Sequence, residues 1–281
     1  MGGQMSATGE KKATSHRFGL IGHPVNHSFS ADFFNDKFQA LGLKDCSYGL
    51  YDLPEMSGFS ELLASRRDWV GFNVTVPHKV EIMSVLDDLS EEARAIGAVN
   101  TLVRCGGGAV AKGGKEAIGN CWRGHNTDAQ GFQKSIAPFL EGRHERALVL
   151  GSGGSSRAVV YALDKLGIDA TVVSRNVGQK SAAAGQCTYS DLTPEVLAHF
   201  PLIVNCTPVG MWPKVEAIVD LPLDGVNEQH LVVDLVYNPE QTILMREASS
   251  RGATVLGGRS MLHLQAEAAW ELWKPVLNLG A

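Results

Sequence analysis

The sequence predicts an α/β protein of two domains, and three observations carry that expectation. A short apolar run, Ala147-Leu148-Val149-Leu150, leads into a glycine-rich turn at Gly151, Gly153 and Gly154. Ala158, Val159, Ala162, Leu163 and Leu166 follow at the spacing of one helix face. Elsewhere, short apolar runs suited to buried strands are separated by helix-spaced segments. The chain has 281 residues, more than one hydrophobic core usually serves.

Hydrophobic residues make up 44% of the chain and charged residues 20%, the balance of a globular enzyme. The formal net charge is -5 and no basic tract is present, which argues against nucleic acid and anionic membrane as partners. No apolar run approaches membrane-spanning length. Residues 1–16, MGGQMSATGEKKATSH, are small and polar with no apolar stretch, and read as a disordered tail rather than a signal or anchor. The five cysteines, at positions 46, 105, 121, 187 and 206, are scattered and odd in number. They suit free thiols in a reducing, cytoplasmic setting. Cys105 and Cys121 bracket a glycine-rich segment and would meet across a hairpin.

In chain order, Phe18 to Ile21 reads as a first strand. The loop GHPVNHSFS follows at residues 22–30, because Pro24 rules out a continued central strand. Ser28 and Ser30 precede a helical face of Phe33, Phe34 and Phe38. Either serine suits a helix N-cap, and the pair also suits a carboxylate or polyol. Cys46 to Tyr51 is a second strand, and Met56 to Arg66 a helix with Phe59, Leu62 and Leu63 on one face. Val70 to Val76 reads as a buried strand stopped by Pro77. Asn73 and Thr75 share one of its faces, and Phe72, Val74 and Val76 the other. Polar groups on a central strand need partners from protein or ligand. Lys79 is expected to open a helix, an unusual place for a cation, although a solvated side chain also fits.

Leu89 to Ile96 looks helical with Ser90 as its cap, and Gly97 to Val103 returns as a strand holding Asn100. Residues 105–121 read as a long glycine-rich hairpin loop. Asn126 or Asp128 then suits the cap of a helix running to about Leu140.

The glycine turn between strand and helix lets backbone N–H groups approach a diphosphate, which the helix N-terminus also favours. Its plainer reading is an ordinary βα turn. After the next strand, Ala170 to Val173, the chain reads Ser174-Arg175-Asn176. An acidic residue there would accept from the ribose 2′-OH of NAD; Arg175 instead offers a donor fork to a 2′-phosphate, or is a plain surface arginine. Leu202 to Cys206 and Leu231 to Val236 supply two more buried strands, and Ala253 to Leu256 a last short one. Residues 257–273 form a final helix with a core stripe of Met261, Leu264, Ala268 and Leu272. Gln265 lies near that stripe and equally suits the surface.

The stretches HSFS, GFNVTVPHK, IGAVNT, GHNTDAQGF, GSGGSSRA, NCTPVGM, DLVYNPEQT and GGRSMLHLQ stand in an order and spacing that resemble the shikimate 5-dehydrogenases, along nearly all of residues 17–275. The resemblance implies a substrate-binding α/β domain of residues 17–127 plus 259–281, and a Rossmann NADP-binding domain of residues 128–258, with a cleft between them. It implies that Ser28 and Ser30 bind a substrate carboxylate, and that Thr75, Asn100, Asp128 and Gln265 bind its hydroxyls with Tyr237 nearby. It assigns catalysis to Lys79 with Asp128. Gly151, Ser152, Gly153, Gly154 and Ser155 would cradle the diphosphate of NADP; Ser174, Arg175 and Asn176 would hold its 2′-phosphate, and Leu235 and Gly258 would approach the nicotinamide. No metal is implied.

The implied activity is interconversion of 3-dehydroshikimate and shikimate with NADPH, by a monomer or homodimer acting on a small molecule. Three departures stand out. Ala31 and Phe34 replace a proline and a histidine common in the family, the adenosine site reads Ser-Arg-Asn instead of Asn-Arg-Thr, and the 105–121 loop is long. A quinate/shikimate dehydrogenase using NAD or NADP is the nearest alternative, but Ser30 and Arg175 favour shikimate and NADP. A non-catalytic ligand or redox sensor would have lost the Lys79–Asp128 pair, which this chain keeps.

Overall fold

Two six-stranded sheets share the chain, and the break between them falls between His125 and Arg146. The computed structural model describes residues 15–26, 28–65, 68–105, 121–175 and 185–277. The first part runs β1 (His16–Gly22), α1 (Ser30–Ala40), β2 (Cys46–Asp52), α2 (Ser57–Ala64), β3 (Trp69–Val74), β4 (Asp88–Leu89), α3 (Glu91–Ile96), β5 (Thr101–Arg104) and β6 (Trp122–His125). Its strand order is β2-β1-β3-β5-β6-β4. The β2–β1, β1–β3 and β6–β4 pairs are parallel, whereas β3–β5 and β5–β6 are antiparallel.

The second part runs α4 (Asp128–Ile136), β7 (Arg146–Leu150), α5 (Gly154–Lys165), β8 (Asp169–Val173), β9 (Gly185–Cys187), α6 (Pro194–Leu197), β10 (Leu202–Asn205), β11 (Leu231–Asp234), α7 (Ile243–Ser250), β12 (Thr254–Gly257) and α8 (Arg259–Trp273). Its sheet has the order β12-β11-β10-β7-β8-β9, parallel throughout. Counted from β7, that is the doubly wound order 3-2-1-4-5-6, whose crevice opens where the winding reverses, between β7 and β10. β10 and β11 are buried along their whole length, as strands covered on both faces must be.

One core, with Val149, Val204, Val159 and Leu163, also takes in Ala129, Phe132 and Ile136 of α4, so α4 packs on the second sheet. α8 returns to the first sheet. Ala266, Ala269, Trp270 and Trp273 join Phe18, Phe34 and Phe38 in one core, and the Trp273 indole N–H donates to the Leu102 carbonyl at 2.9 Å. Each such aromatic, fully buried, contributes about 1.5–3 kcal/mol.

Several expectations need correction. The strand over 70–76 stops at Val74: Thr75 turns its N–H onto the Ile21 carbonyl, and Val76 is 61% exposed rather than packed beside Val74. Lys79 does not open an α-helix; residues 76–80 form a turn and Glu81–Val85 a single 3₁₀ stretch. Asn100 lies one residue before β5, not inside a strand from Gly97. α4 ends at Ile136, where Ala137–Phe139 tightens into 3₁₀ around Pro138. Only Met261 of the expected α8 stripe is buried; the packed face is Met261, Gln265, Ala266, Ala269, Trp270 and Trp273, because the two tryptophans turn the helix towards the sheet. Leu264, Ala268 and Leu272 line a groove beside α4.

The tail expectation for residues 1–14 lies outside the described residues. Its boundary moves: β1 starts at His16, and the Ser15 hydroxyl donates to Asp68 at 2.6 Å. Residues 106–120 also lie outside the described residues. The flanks pair as a hairpin should, with Cys105 N–H on the Cys121 carbonyl at 2.8 Å, and both thiols are free. Burial and the neighbouring Cys121 thiol push the Cys105 thiol up to about 12.

Candidate active site

The cluster that joins the two sheets is built from element ends and the loops between them rather than from strand or helix interiors, with one exception on α8. Lys79 comes from the turn after β3. Asn100 comes from the loop before β5, Asp128 from the first residue of α4, and Gln265 from α8. Lys79 Nζ donates to Asp128 Oδ2 at 2.7 Å, and both side chains are largely withdrawn from water, at 12% and 5% exposure. Asn100 Nδ2 donates to Asp128 Oδ1 at 2.8 Å. Both carboxylate oxygens are therefore occupied by donors.

The two readings of Asp128 separate here. α4 is not capped by its side chain; Thr127 holds the N-cap position without a side-chain bond. Asn126 Oδ1 accepts from Ala129 N–H at 3.2 Å, so Asn126 does the capping work. Freed from that task, Asp128 faces Lys79.

Asn100 is the hub. Its amide also donates to Thr127 Oγ1 at 2.9 Å and approaches Gln265 Oε1 at 3.2 Å, while its Oδ1 accepts from Thr127 N–H at 2.7 Å and from Thr101 Oγ1 at 3.0 Å. Gln265 is buried, 9% exposed, and its Nε2 donates to the Leu262 carbonyl at 3.0 Å, which fixes the amide. Among the residues expected to touch a ligand, Asn100, Asp128, Gln265 and Lys79 are brought together.

Ser28 and Ser30 sit at the start of α1. The N-cap position is held by Phe29, without a side-chain bond, and Ser28 caps the first helical N–H from one residue before it. Ser28 Oγ accepts from Ser30 N–H at 3.2 Å, and the two hydroxyls lie 3.3 Å apart. Thr75 is half-buried beside Gly22 at the end of β1. Tyr237 is half-buried, makes no hydrogen bond through its hydroxyl among the described residues, and burial raises its pKa.

Lys79 also reaches the second sheet, where Nζ donates to Ser155 Oγ at 3.3 Å. The glycine turn lies against the lysine stem: a Cβ on Gly154 would stand 2.8 Å from Lys79 Cβ, closer than packed atoms allow. Gly151 adopts φ +102°, open to glycine alone, and faces Thr207 at the head of the β7/β10 crevice. α5 starts at Gly154 with no side-chain cap, so its first N–H groups remain for an anion. Ser152 and Gly153 are exposed at the mouth.

Ser174 and Arg175 follow β8, Arg175 exposed; Asn176 lies outside the described residues. Ser174 N–H donates to the Cys187 carbonyl at 3.1 Å. Leu235 N–H donates to the Asn205 carbonyl at 3.0 Å, and Gly258 N–H to the Val236 carbonyl at 3.1 Å. Gly258 is so close to the Leu235 carbonyl that no side chain fits. Beneath them, Asp234 is wholly buried, accepting from Asn205 at 3.0 Å and from the Thr242 hydroxyl at 2.7 Å; burial raises its pKa. The residues present thus fit a dinucleotide: an uncapped helix start behind a glycine turn, and an arginine at the end of the next strand.

Sequence reasoning missed Thr101, Thr127 and Tyr48, which extend the cluster, and gave Asn73 only a need for some partner. Asn73 carried a signal, a polar side chain in a buried strand, whereas threonines at a strand start and a helix start read as ordinary. Among the described residues, no group of metal-ligating side chains occurs and no helix is long and apolar enough to cross a membrane.

A family model described as the shikimate dehydrogenase substrate binding domain matches residues 20–102. A curated relative from Shouchella clausii, the NADP(+) shikimate dehydrogenase, is 36% identical over 273 residues, covering 92% of this chain and 93% of its own. A crystal structure of shikimate 5-dehydrogenase from Thermus thermophilus with NADP(H) and shikimate superposes with a TM-score of 0.76 at 33% identity, covering 92% of this chain and 94% of that one. The quinate dehydrogenase of Corynebacterium glutamicum, in complex with NAD, gives 0.78 at 26% identity, covering 93% and 94%.

Proposed function

The chain belongs to the shikimate dehydrogenase family, and from that premise we propose how its own residues carry the reaction. It catalyses the reversible NADPH-dependent reduction of 3-dehydroshikimate to shikimate, an oxidation–reduction at a secondary alcohol in aromatic amino-acid and chorismate biosynthesis.

The observation that supports the residue roles is the Lys79–Asp128–Asn100 constellation beside the glycine turn. NADP(H), when bound, supplies or accepts the hydride. Gly151 to Ser155 would hold its diphosphate, Ser174, Arg175 and Asn176 its 2′-phosphate, and Leu235 and Gly258 would border its nicotinamide. Lys79, as the ammonium, donates a proton to the oxygen that gains charge during reduction; in the reverse direction its amine takes that proton from the alcohol. Asp128 orients Lys79 through the 2.7 Å bond and offers its carboxylate to a substrate hydroxyl. Asn100, held from four sides, keeps Asp128 from turning away. Ser28 and Ser30 take the substrate carboxylate, and Thr75, Gln265 and Tyr237 complete the hydroxyl contacts.

We assign residues 17–127 with 259–281 to substrate and residues 128–258 to cofactor. α8 in the first core supports it, as does α4 in the second. We further place the enzyme in the cytoplasm, as a monomer or homodimer; the free thiols of Cys105 and Cys121, whose backbones pair, suit a reducing compartment.

Steady-state assay of shikimate and quinate, each with NADP and NAD, tests this reading. Shikimate with NADP should have the highest kcat/KM. A higher value for quinate with NAD would overturn it.

A further inference from the structure

Asn205 and Asp234 are the last residues of β10 and β11 and stand opposite each other in the register of the two strands. Both are fully buried. The Asp234 carboxylate accepts from three directions. Oδ1 takes the Asn205 amide and the Val236 N–H, each at 3.0 Å, and Oδ2 takes the Thr242 hydroxyl at 2.7 Å. Thr242 is the N-cap of α7, its hydroxyl accepting in turn from Met245 N–H at 3.3 Å. The carboxylate is thus pinned by the exit of its own strand and by the start of the next helix. A buried charge requires such donors, yet no step of the reaction uses this one.

What the charge does is orient Asn205. A carboxylate only accepts, so the Asn205 NH₂ faces Asp234 and its Oδ1 faces the other way. That oxygen accepts from the Thr207 hydroxyl at 2.6 Å and from Thr207 N–H at 3.0 Å. With its hydroxyl held there, Thr207 turns its methyl to the glycine turn: a Cβ on Gly151 would stand 3.0 Å from Thr207 Cγ2. Asn205 also pairs with Leu150, the residue before that turn, and Cys206 N–H donates to the Leu150 carbonyl at 2.9 Å. The series Asp234–Asn205–Thr207 therefore runs from the buried interior of the second sheet to the crevice between β7 and β10, where the winding reverses.

We propose that Asp234 is a positioning residue for the dinucleotide: by fixing the Asn205 amide it holds Thr207 against Gly151, and so sets the shape of the turn on which the diphosphate would lie. This rests on the reading of Gly151 to Ser155 as the diphosphate site. Asp234→Asn fills the same space but brings an NH₂. Of the three donors around it, only the Thr242 hydroxyl can rotate and accept. If the NH₂ faces Thr242, Asn205 and Val236 share a neutral oxygen. If it faces Asn205, that amide must flip and set its own NH₂ against Thr207 N–H. Either arrangement weakens the hold on Thr207.

The test is a double-mutant cycle of Asp234→Asn and Thr207→Val, read as KM for NADP, for NAD and for shikimate. Thr207→Val keeps a methyl on Gly151 but cannot bond to Asn205 Oδ1. A charge-assisted hydrogen bond exceeds a neutral one by about tenfold. Asp234→Asn should raise KM for NADP and for NAD alike by about that factor, because both carry the diphosphate. It should move KM for shikimate less than about twofold, because every bond in the series lies on the second sheet. In the Thr207→Val background, Asp234→Asn should move KM for NADP less than about twofold, because its target is gone. An equal effect in both backgrounds would overturn the proposal. So would a parental KM for NADP in Asp234→Asn, or a rise in KM for shikimate matching that for NADP. Should Asp234→Asn not fold, Thr207→Val alone decides: about a tenfold rise in KM for both cofactors supports the proposal, and parental values overturn it. Gly151→Ala checks the diphosphate reading by itself. A parental KM for NADP there removes that reading and the proposal with it, whereas a raised KM there beside a parental KM in Asp234→Asn overturns the proposal alone.

Discussion

Replacing Asp128 by asparagine is nearly isosteric, yet it reverses the hydrogen-bonding demand at one atom. The carboxylate accepts twice, from Lys79 Nζ at 2.7 Å and from Asn100 Nδ2 at 2.8 Å. An asparagine has one acceptor and one donor group. Whichever way its amide turns, an NH₂ faces either an ammonium or the Asn100 amide. The Lys79 bond, charge-assisted and withdrawn from water, is worth about 1.5–3 kcal/mol. Its loss also frees Lys79 to turn towards Ser155, which lies 3.3 Å away. General acid–base help of this kind contributes about 10²–10⁴ in rate, or about 2.7–5.4 kcal/mol of barrier. Asp128→Asn should therefore lower kcat by a factor in that range. Followed by the absorbance of the reduced nicotinamide, KM for NADP should not change, because Asp128 does not touch the glycine turn. A kcat within threefold of the parent enzyme would refute the reasoning.

Two other outcomes follow from single side chains. Arg175→Ala, at an exposed position after β8, should raise KM for NADP on the order of 10- to 100-fold and leave KM for NAD unaltered; equal changes would remove Arg175 from the 2′-phosphate site. His125 is held down from 6.5 to about 4 by burial and by the Arg123 charge. Between those two values the unfolded chain takes up the proton first, so stability should fall as pH drops from 6.5 towards 4. The loss should be about 1–2 kcal/mol after solvent screening, and His125→Gln should abolish that part of the slope in denaturant titrations.

The β7–α5 unit was legible because its signals are local: four apolar residues, three glycines and a helix-spaced face all stand within one short stretch. Lys79 was legible as unusual but not as placed. β3 ends at Val74, before Pro77, and the 3₁₀ stretch that follows depends on packing of Ile82 in the core, which no periodicity reveals. Ser28 and Asp128 each had an equally good capping explanation in sequence. For Asp128 the path of the chain, which puts Thr127 at the N-cap, removes it; Ser28 keeps it, because its hydroxyl accepts from Ser30 N–H. The face of α8 was misread because Leu264, Ala268 and Leu272 are as apolar as the residues that do pack. The choice is made by Trp270 and Trp273 against Phe18, Phe34 and Phe38, which stand at the other end of the chain. Tyr48 carried no signal at all, since an aromatic in a strand reads as core and its hydroxyl's partner, Asn73, comes from another strand.

Everything assigned to the cleft turns on one amine. Lys79→Ala, with shikimate binding followed by titration and turnover followed in the same preparation, isolates it. Loss of most of kcat with near-parental shikimate affinity is the expected pair of results; undiminished turnover would contradict the role given to Lys79.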